Sequence, residues 1–294
     1  MFKIQDIKPK NYIRLHFYFT GPLLLIISGS CGPQIQQADR LCPGKGSAVE
    51  VLSILRFRSE DIAPLKASGQ CHLQYYTEDN NKPREENFLV KLWVNPPAEI
   101  YLQGDVAFDS KGILLGSNED EFWLSMKPKE ISSYWWGRWS EKTSLGKLTI
   151  SPELLLEALG IAAADSEENW ALSKEGDFDV LTKQNGQTEI KKIYISNCDY
   201  LIRKIEYLNE RQAVMELDEY KEVLKGFFVP GVIKIINRTG NSGRESESIT
   251  FNLNSIKAAR FTDIQRKVLF TRPQPRGFKH IYKIVGDSIV EQSQ

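Results

Sequence analysis

Few side chains in this 294-residue chain are spaced to do chemistry. It has three histidines, His16, His72 and His280, and none has a partner at metal-ligand spacing. Neither HExxH nor GxSxG occurs, so zinc-protease and serine-hydrolase chemistry lack their residues. Gly44-Lys45-Gly46-Ser47 is like part of a phosphate loop ahead of a helix, but the upstream glycine and the Lys-Ser adjacency are missing. Asp177 and Asp179 flank Phe178, and paired carboxylates can share acid–base work, yet nothing nearby supports that role. Glu119-Asp120-Glu121 falls at a turn and reads as a solvated tip. No catalytic, cofactor-binding or metal-binding residue is assigned, and an enzyme is not expected.

The four cysteines need separate accounts. Cys31 follows Ile27-Ser28-Gly29-Ser30, and small residues before a cysteine after an apolar core resemble the lipobox of bacterial lipoproteins, with Ser28 where leucine is usual. The first thirty residues suit a leader. Lys3, Lys8, Lys10 and Arg14 precede two short apolar runs, 15–19 and 23–27, broken at Thr20-Gly21-Pro22. The lipobox resemblance implies cleavage before Cys31 and acylation of its sulfur and new amino group. Several acyl chains anchor stably, since each buried CH₂ contributes about 0.8 kcal/mol. An ordinary secretory signal with an incidental cysteine is the alternative. Gly32, in place of an inner-membrane-retaining Asp, favours the outer membrane facing the periplasm. Disulfides persist in that compartment. Cys42 to Cys71 is the more economical pair, because it fastens the N-terminal tether to the first strand; Cys198 stays open as a partner, and one cysteine is left free.

These residues sit on a chain of ordinary globular composition, 41% hydrophobic and 26% charged, with zero formal net charge. No large basic patch is implied, so nucleic acid is not expected as a partner. Residues 1–30 read as leader, 31–46 as a Gly-, Pro- and Gln-rich tether, 47–285 as the folded body and 286–294 as a tail. Ser47 and Glu50 form a capping box ahead of Ala48, Val51, Leu52 and Leu55 at helical spacing. Ser151-Pro152-Glu153 starts a second helix, a candidate lid, with Leu155, Ala158 and Leu159 on one stripe and Gly160 at its end. Elsewhere the period is two. Phe88, Val90, Leu92 and Val94 alternate with Leu89, Lys91 and Trp93; Ile249, Phe251 and Leu253 alternate with Thr250 and Asn252. Turns too short for crossover helices make such strands antiparallel neighbours, so one sheet is expected to run through the chain. The aromatic cluster Tyr134-Trp135-Trp136-Gly137-Arg138-Trp139 suggests a wedge between sheet and cover, or a membrane or ligand contact.

The order of elements resembles a known family. Asp199-Tyr200-Leu201-Ile202-Arg203-Lys204-Ile205, then Leu217-Asp218-Glu219-Tyr220, then Phe228-Val229-Pro230 ahead of Val232-Ile233-Lys234-Ile235, look like the second half of the LolA/LolB lipoprotein-localisation group. The resemblance covers about residues 47–285. It implies a mainly β (α+β) fold, an incomplete antiparallel β-barrel covered by helices over an apolar cavity that holds acyl chains. Cys31 makes the chain more like the anchored acceptor type than the soluble carrier. The expected partners are lipid acyl chains or lipoproteins, the membrane through Cys31 and an envelope protein. The candidate cavity residues are Val90, Leu92, Ile100, Leu102, Phe122, Leu124, Ile249, Phe251 and Leu253. A structural or stress-sensing module on the same fold, with a filled core, is the competing expectation.

Overall fold

The computed structural model describes residues 42–60, 62–77, 80–106, 109–128, 132–141, 150–161, 169–208, 212–239, 244–286 and 288–292. The leader 1–30, Cys31, the tether as far as residue 41 and the turn 240–243 lie outside them. The described residues from Cys42 onward belong to one compact unit with its own hydrophobic core and disulfide.

Alternating side chains produce strands, and short turns pair them in sequence order. The first half contributes β1 (Leu65–Thr77), β2 (Asn80–Asn95), β3 (Glu99–Val106), β4 (Asp109–Ser117), β5 (Glu121–Met126) and β6 (Ser133–Arg138). The second contributes β7 (Trp170–Glu175), β8 (Phe178–Asn185), β9 (Thr188–Ser196), β10 (Ile202–Tyr207) and β11 (Ala213–Asp218). There follow β12 (Lys221–Leu224), β13 (Phe227–Val229), β14 (Val232–Thr239) and β15 (Arg244–Ala258), and finally β16 (His280–Val285) and β17 (Ser288–Glu291). Fifteen of them form one sheet in the order β17-β16-β6-β5-β4-β3-β2-β1-β15-β14-β11-β10-β9-β8-β7, while β12 and β13 make a separate hairpin. The sheet is open, with β17 and β7 at its edges. Mainly β with an incomplete antiparallel barrel is therefore the observed fold class.

The two halves join where β1 meets β15, since the second half restarts at the far edge and meanders back. That seam is tight. The register shifts between Ser68 and Gly69, and a Cβ at Gly69 would lie 1.9 Å from the Asn252 carbonyl oxygen, so glycine is required there. Neighbours in the sheet are antiparallel except β16, which lies parallel to β6.

Helix α1 (Ala48–Glu60) begins as its sequence suggests, with the Glu50 amide donating to Ser47 Oγ at 3.3 Å. Val51 and Leu52 are buried beneath it. Helix α2 (Pro152–Ala158) is capped by Ser151, whose Oγ accepts from the Leu154 amide, and buries five of its seven residues. Gly160, at φ +77°, ends it in a conformation that suits glycine. Helix α3 (Asp263–Leu269) follows β15 and buries none of its residues. A second apolar cluster, Trp123, Tyr134, Phe278 and Ile281, covers the opposite face of β5 and β6. The aromatic run is thereby split by strand alternation. Tyr134 and Trp136 belong to this outer cluster, and Trp139 packs on Phe122 at 4.7 Å between ring centroids.

Three expectations are corrected. The disulfide is Cys42–Cys198, with Cα atoms 5.1 Å apart, and Cys71 is the free thiol. Cys71 faces the core between its register partners Phe88 and Phe251, where the N-terminal arm has no room to reach. Cys198 sits exposed on the β9–β10 turn, within reach of the arm. The body starts by Cys42, not at residue 47, because the Lys45 amide also donates to Asp179 Oδ2 at 2.7 Å. Nor is 286–294 only a tail, since β17 pairs with β16.

Candidate functional site

The inner face of β1–β6 and β15 holds a cavity of about 240 Å³. Its walls follow from cross-strand register. Leu102, Leu115, Leu124 and Trp135 line it from one rung, which Leu92 completes outside the lining; Ile113 and Met126 line it from the second rung, which Val90 and Gly104 complete outside the lining. The second rung lacks a side chain at Gly104. A Cβ there would stand 2.7 Å from the Phe88 ring, so the glycine lets Phe88 lie against β3. Leu73, Tyr75, Ile249, Phe251, Ile150 and Ile289 complete the apolar wall, and Glu247 is its charged member.

Of the nine cavity residues expected from sequence, Leu102, Leu124, Ile249 and Phe251 line this space. Val90, Leu92, Ile100, Phe122 and Leu253 do not; all five are buried in the packed core. Phe122 is held there by Trp139 and by Gly137, where a Cβ would come within 2.6 Å of its ring. The lining residues not anticipated include Phe88, Ile113, Leu115, Met126, Trp135 and Ile289. Alternation alone puts Phe88 with Val90 and Met126 with Leu124, so those two carried a usable signal. Ile289 carried none, because it reaches the cavity from the last strand through the parallel β6–β16 pairing.

A smaller cavity of about 80 Å³ lies among α1, α2, β7, β9–β11 and the β12–β13 hairpin. Within its lining Glu157 accepts from both Lys191 Nζ and the Tyr207 hydroxyl. Arg58 donates from its two terminal nitrogens to the Tyr200 and Asp199 carbonyls, at 2.6 and 2.7 Å, tying α1 to the β9–β10 turn. Burial holds this guanidinium below its ordinary pKa, with Asp199 opposing.

The other chemical candidates disperse. Asp179 is fully buried while Asp177 is exposed, so the two carboxylates do not form a working pair. The Lys45 amide faces the Asp179 carboxylate, which occupies a donor that a phosphate loop would need. Glu121 is paired with Arg272 at 2.8 Å, and the Asp120 and Glu121 amides cap onto Asn118 Oδ1. His72 hydrogen-bonds Asn87 and His280 lies 2.8 Å from Glu291, both at the surface. Burial pushes the Cys71 thiol far above its ordinary range, so it is not a reactive thiolate. Among the described residues there is no cluster of three or more His, Cys, Asp or Glu able to hold a metal. No described helix is long and apolar enough to cross a membrane.

No protein-family model and no curated protein sequence matches the chain. Among solved structures it is similar to a putative outer membrane lipoprotein-sorting protein domain from Vibrio parahaemolyticus, at 14% identity over 75% of this chain and 97% of that one, with a TM-score of 0.49. It is also similar to a LolA superfamily protein from Nitrosomonas europaea, at 13% identity over 77% and 99% of the two chains, TM-score 0.46. A DUF1329 family protein from Desulfovibrio piger is similar at 11% identity over 75% and 96%, TM-score 0.45. The likeness is one of fold alone.

Proposed function

We propose that this chain is a membrane-anchored lipoprotein that binds acyl chains of lipids or lipoproteins, in envelope lipid or lipoprotein trafficking. The observation that carries the reading is the cavity of about 240 Å³, walled by Leu102, Leu124, Trp135, Ile249 and Phe251. A concave site that is apolar nearly throughout, with one carboxylate and one phenol in its wall, suits a long hydrocarbon chain better than a polar metabolite. The reaction class is binding and transfer, without catalysis. Lipidation of Cys31 supplies the anchor in this reading, and the outer membrane facing the periplasm is the site of action.

The test is uptake of a fluorescent fatty acid by the folded body, together with native mass spectrometry for co-purified lipid. Leu124→Gln puts an amide into the apolar wall, and an unsatisfied amide costs about 1–3 kcal/mol, so uptake is expected to fall roughly tenfold or more with the fold retained. The competing reading, a structural or stress-sensing module with a filled core, draws on Val90, Leu92, Ile100, Phe122 and Leu253 being packed away from the cavity. If the unaltered body takes up no lipid and Leu124→Gln unfolds it, that reading replaces the first.

A further inference from the structure

The corner at which β15 leaves the sheet has an unusual surface. Lys66 and Lys257 are directly opposite each other on β1 and β15, and both are exposed. Like charges placed this way repel. Neither has an acidic partner among the described residues, and the same holds for Arg260 and Lys267 just beyond. The rung continues from Lys66 to Trp93 and Tyr101, half-buried rings with centroids 5.6 Å apart. Trp and Tyr beside cations are what a membrane–water boundary selects.

Helix α3 follows at once. It is firmly set: Thr262 and Gln265 form a reciprocal capping box, and Arg266 grips Glu99 through two nitrogens at 3.0 and 3.1 Å. Yet Ile264 and Val268, one turn apart on the same side, are 78% and 73% exposed. A capped and salt-bridged helix that turns two branched apolar side chains to solvent has a face without a partner. Glu99 is neutralised by Arg266, while Asp263 and Glu119 stand near that arginine and temper the local charge.

We propose that this corner docks on an anionic lipid surface. Lys66, Lys257, Arg260 and Lys267 meet the lipid phosphates, and Ile264 and Val268 enter the boundary between headgroups and acyl chains. Charge complementarity selects the occupant. A neutral apolar partner would leave the opposed lysines unrelieved, whereas a sheet of phosphates neutralises all four cations and admits the apolar pair. This surface is separate from the cavity, so its role stands or falls independently of acyl-chain uptake.

The experiment uses the unit beginning at Leu41, without leader or anchor, sedimented with vesicles of phosphatidylcholine alone or with one-third phosphatidylglycerol. Binding to the anionic vesicles that weakens with salt is expected, with little binding to the neutral ones. Losing a cation near such a surface lowers partitioning about fivefold, so Lys66→Gln with Lys257→Gln and Lys267→Gln should lower it on the order of 100-fold. Ile264→Ser with Val268→Ser should weaken binding while leaving its salt dependence unchanged, and Lys174→Gln, on the far edge strand, should have no effect. Thermal melts check that each variant is folded. Absence of binding, equal binding to both vesicles, or a triple variant that binds like its parent overturns the proposal. So does loss of vesicle binding in inorganic phosphate at matched ionic strength, which would mark a free-anion site.

Discussion

Removing the disulfide tests how the N-terminal arm belongs to the fold. Cys42 and Cys198 are 156 residues apart in sequence, so the bond closes most of the described chain into one loop. In the chain-entropy model a loop of that length restricts the unfolded ensemble by about 5 kcal/mol at 25 °C. Residual structure in the unfolded chain reduces the gain, so Cys42→Ala with Cys198→Ala is expected to cost about 2–5 kcal/mol. For a domain of this size each kcal/mol shifts the melting temperature by roughly 2–4 °C, giving a fall of roughly 4–20 °C.

The assay is a thermal melt of the double variant, beside the parent with and without a thiol reductant. Reductant should lower the parent's melting temperature towards that of the variant and leave the variant where it is. The Lys45–Asp179 hydrogen bond survives in the variant, so the arm keeps one attachment and the core need not loosen. A melting temperature unchanged by the double substitution would refute the reasoning, as would a non-reduced peptide map that joins Cys71 to either partner.

Two further outcomes are expected. Gly69→Ala should destabilise the body by more than about 2 kcal/mol in urea unfolding, because its Cβ would meet the Asn252 carbonyl across the seam of the sheet; a loss below about 0.5 kcal/mol would show that the seam can give. Cys31→Ala should abolish labelling of the full chain by a fatty-acid probe and leave an unprocessed precursor, and unchanged labelling would remove the anchor from the proposed function.

What the sequence disclosed is local, and what it withheld is spatial. Ser47 and Ser151 could be read as caps because a cap satisfies amides two or three residues away. The strands could be read because alternation is a nearest-neighbour property. The disulfide could not. Preferring Cys71 to Cys198 assumed that the arm stays near the first strand, whereas the far meander folds back and brings the β9–β10 turn to it. The β6–β16 pairing was hidden for the same reason, since a parallel contact between distant segments leaves no turn signal. The cavity is the hardest case. Leu92 and Leu102 are cross-strand partners of the same residue type, yet Leu102 faces empty space and Leu92 does not.

The reason for that space lies in the ratio of cover to sheet. Fifteen strands at about 4.8 Å spacing extend on the order of 70 Å along the hydrogen-bonding direction before curling. The helices offered as cover are α1, with 13 residues, and α2, with 7, roughly 20 and 10 Å long at 1.5 Å per residue. Where they pack, the sheet is nearly filled: Leu55 and Arg58 of α1 and Glu157 and Ala158 of α2 all border the smaller cavity, of about 80 Å³. Neither helix contributes a residue to the lining of the larger one, at about 240 Å³. There the lining comes from the sheet's own side chains, with Ile150 beside them. Apolar surface without cover is costly in water, at about 25 cal/mol per Å². An acyl chain in that space would complete the core that the short helices leave open.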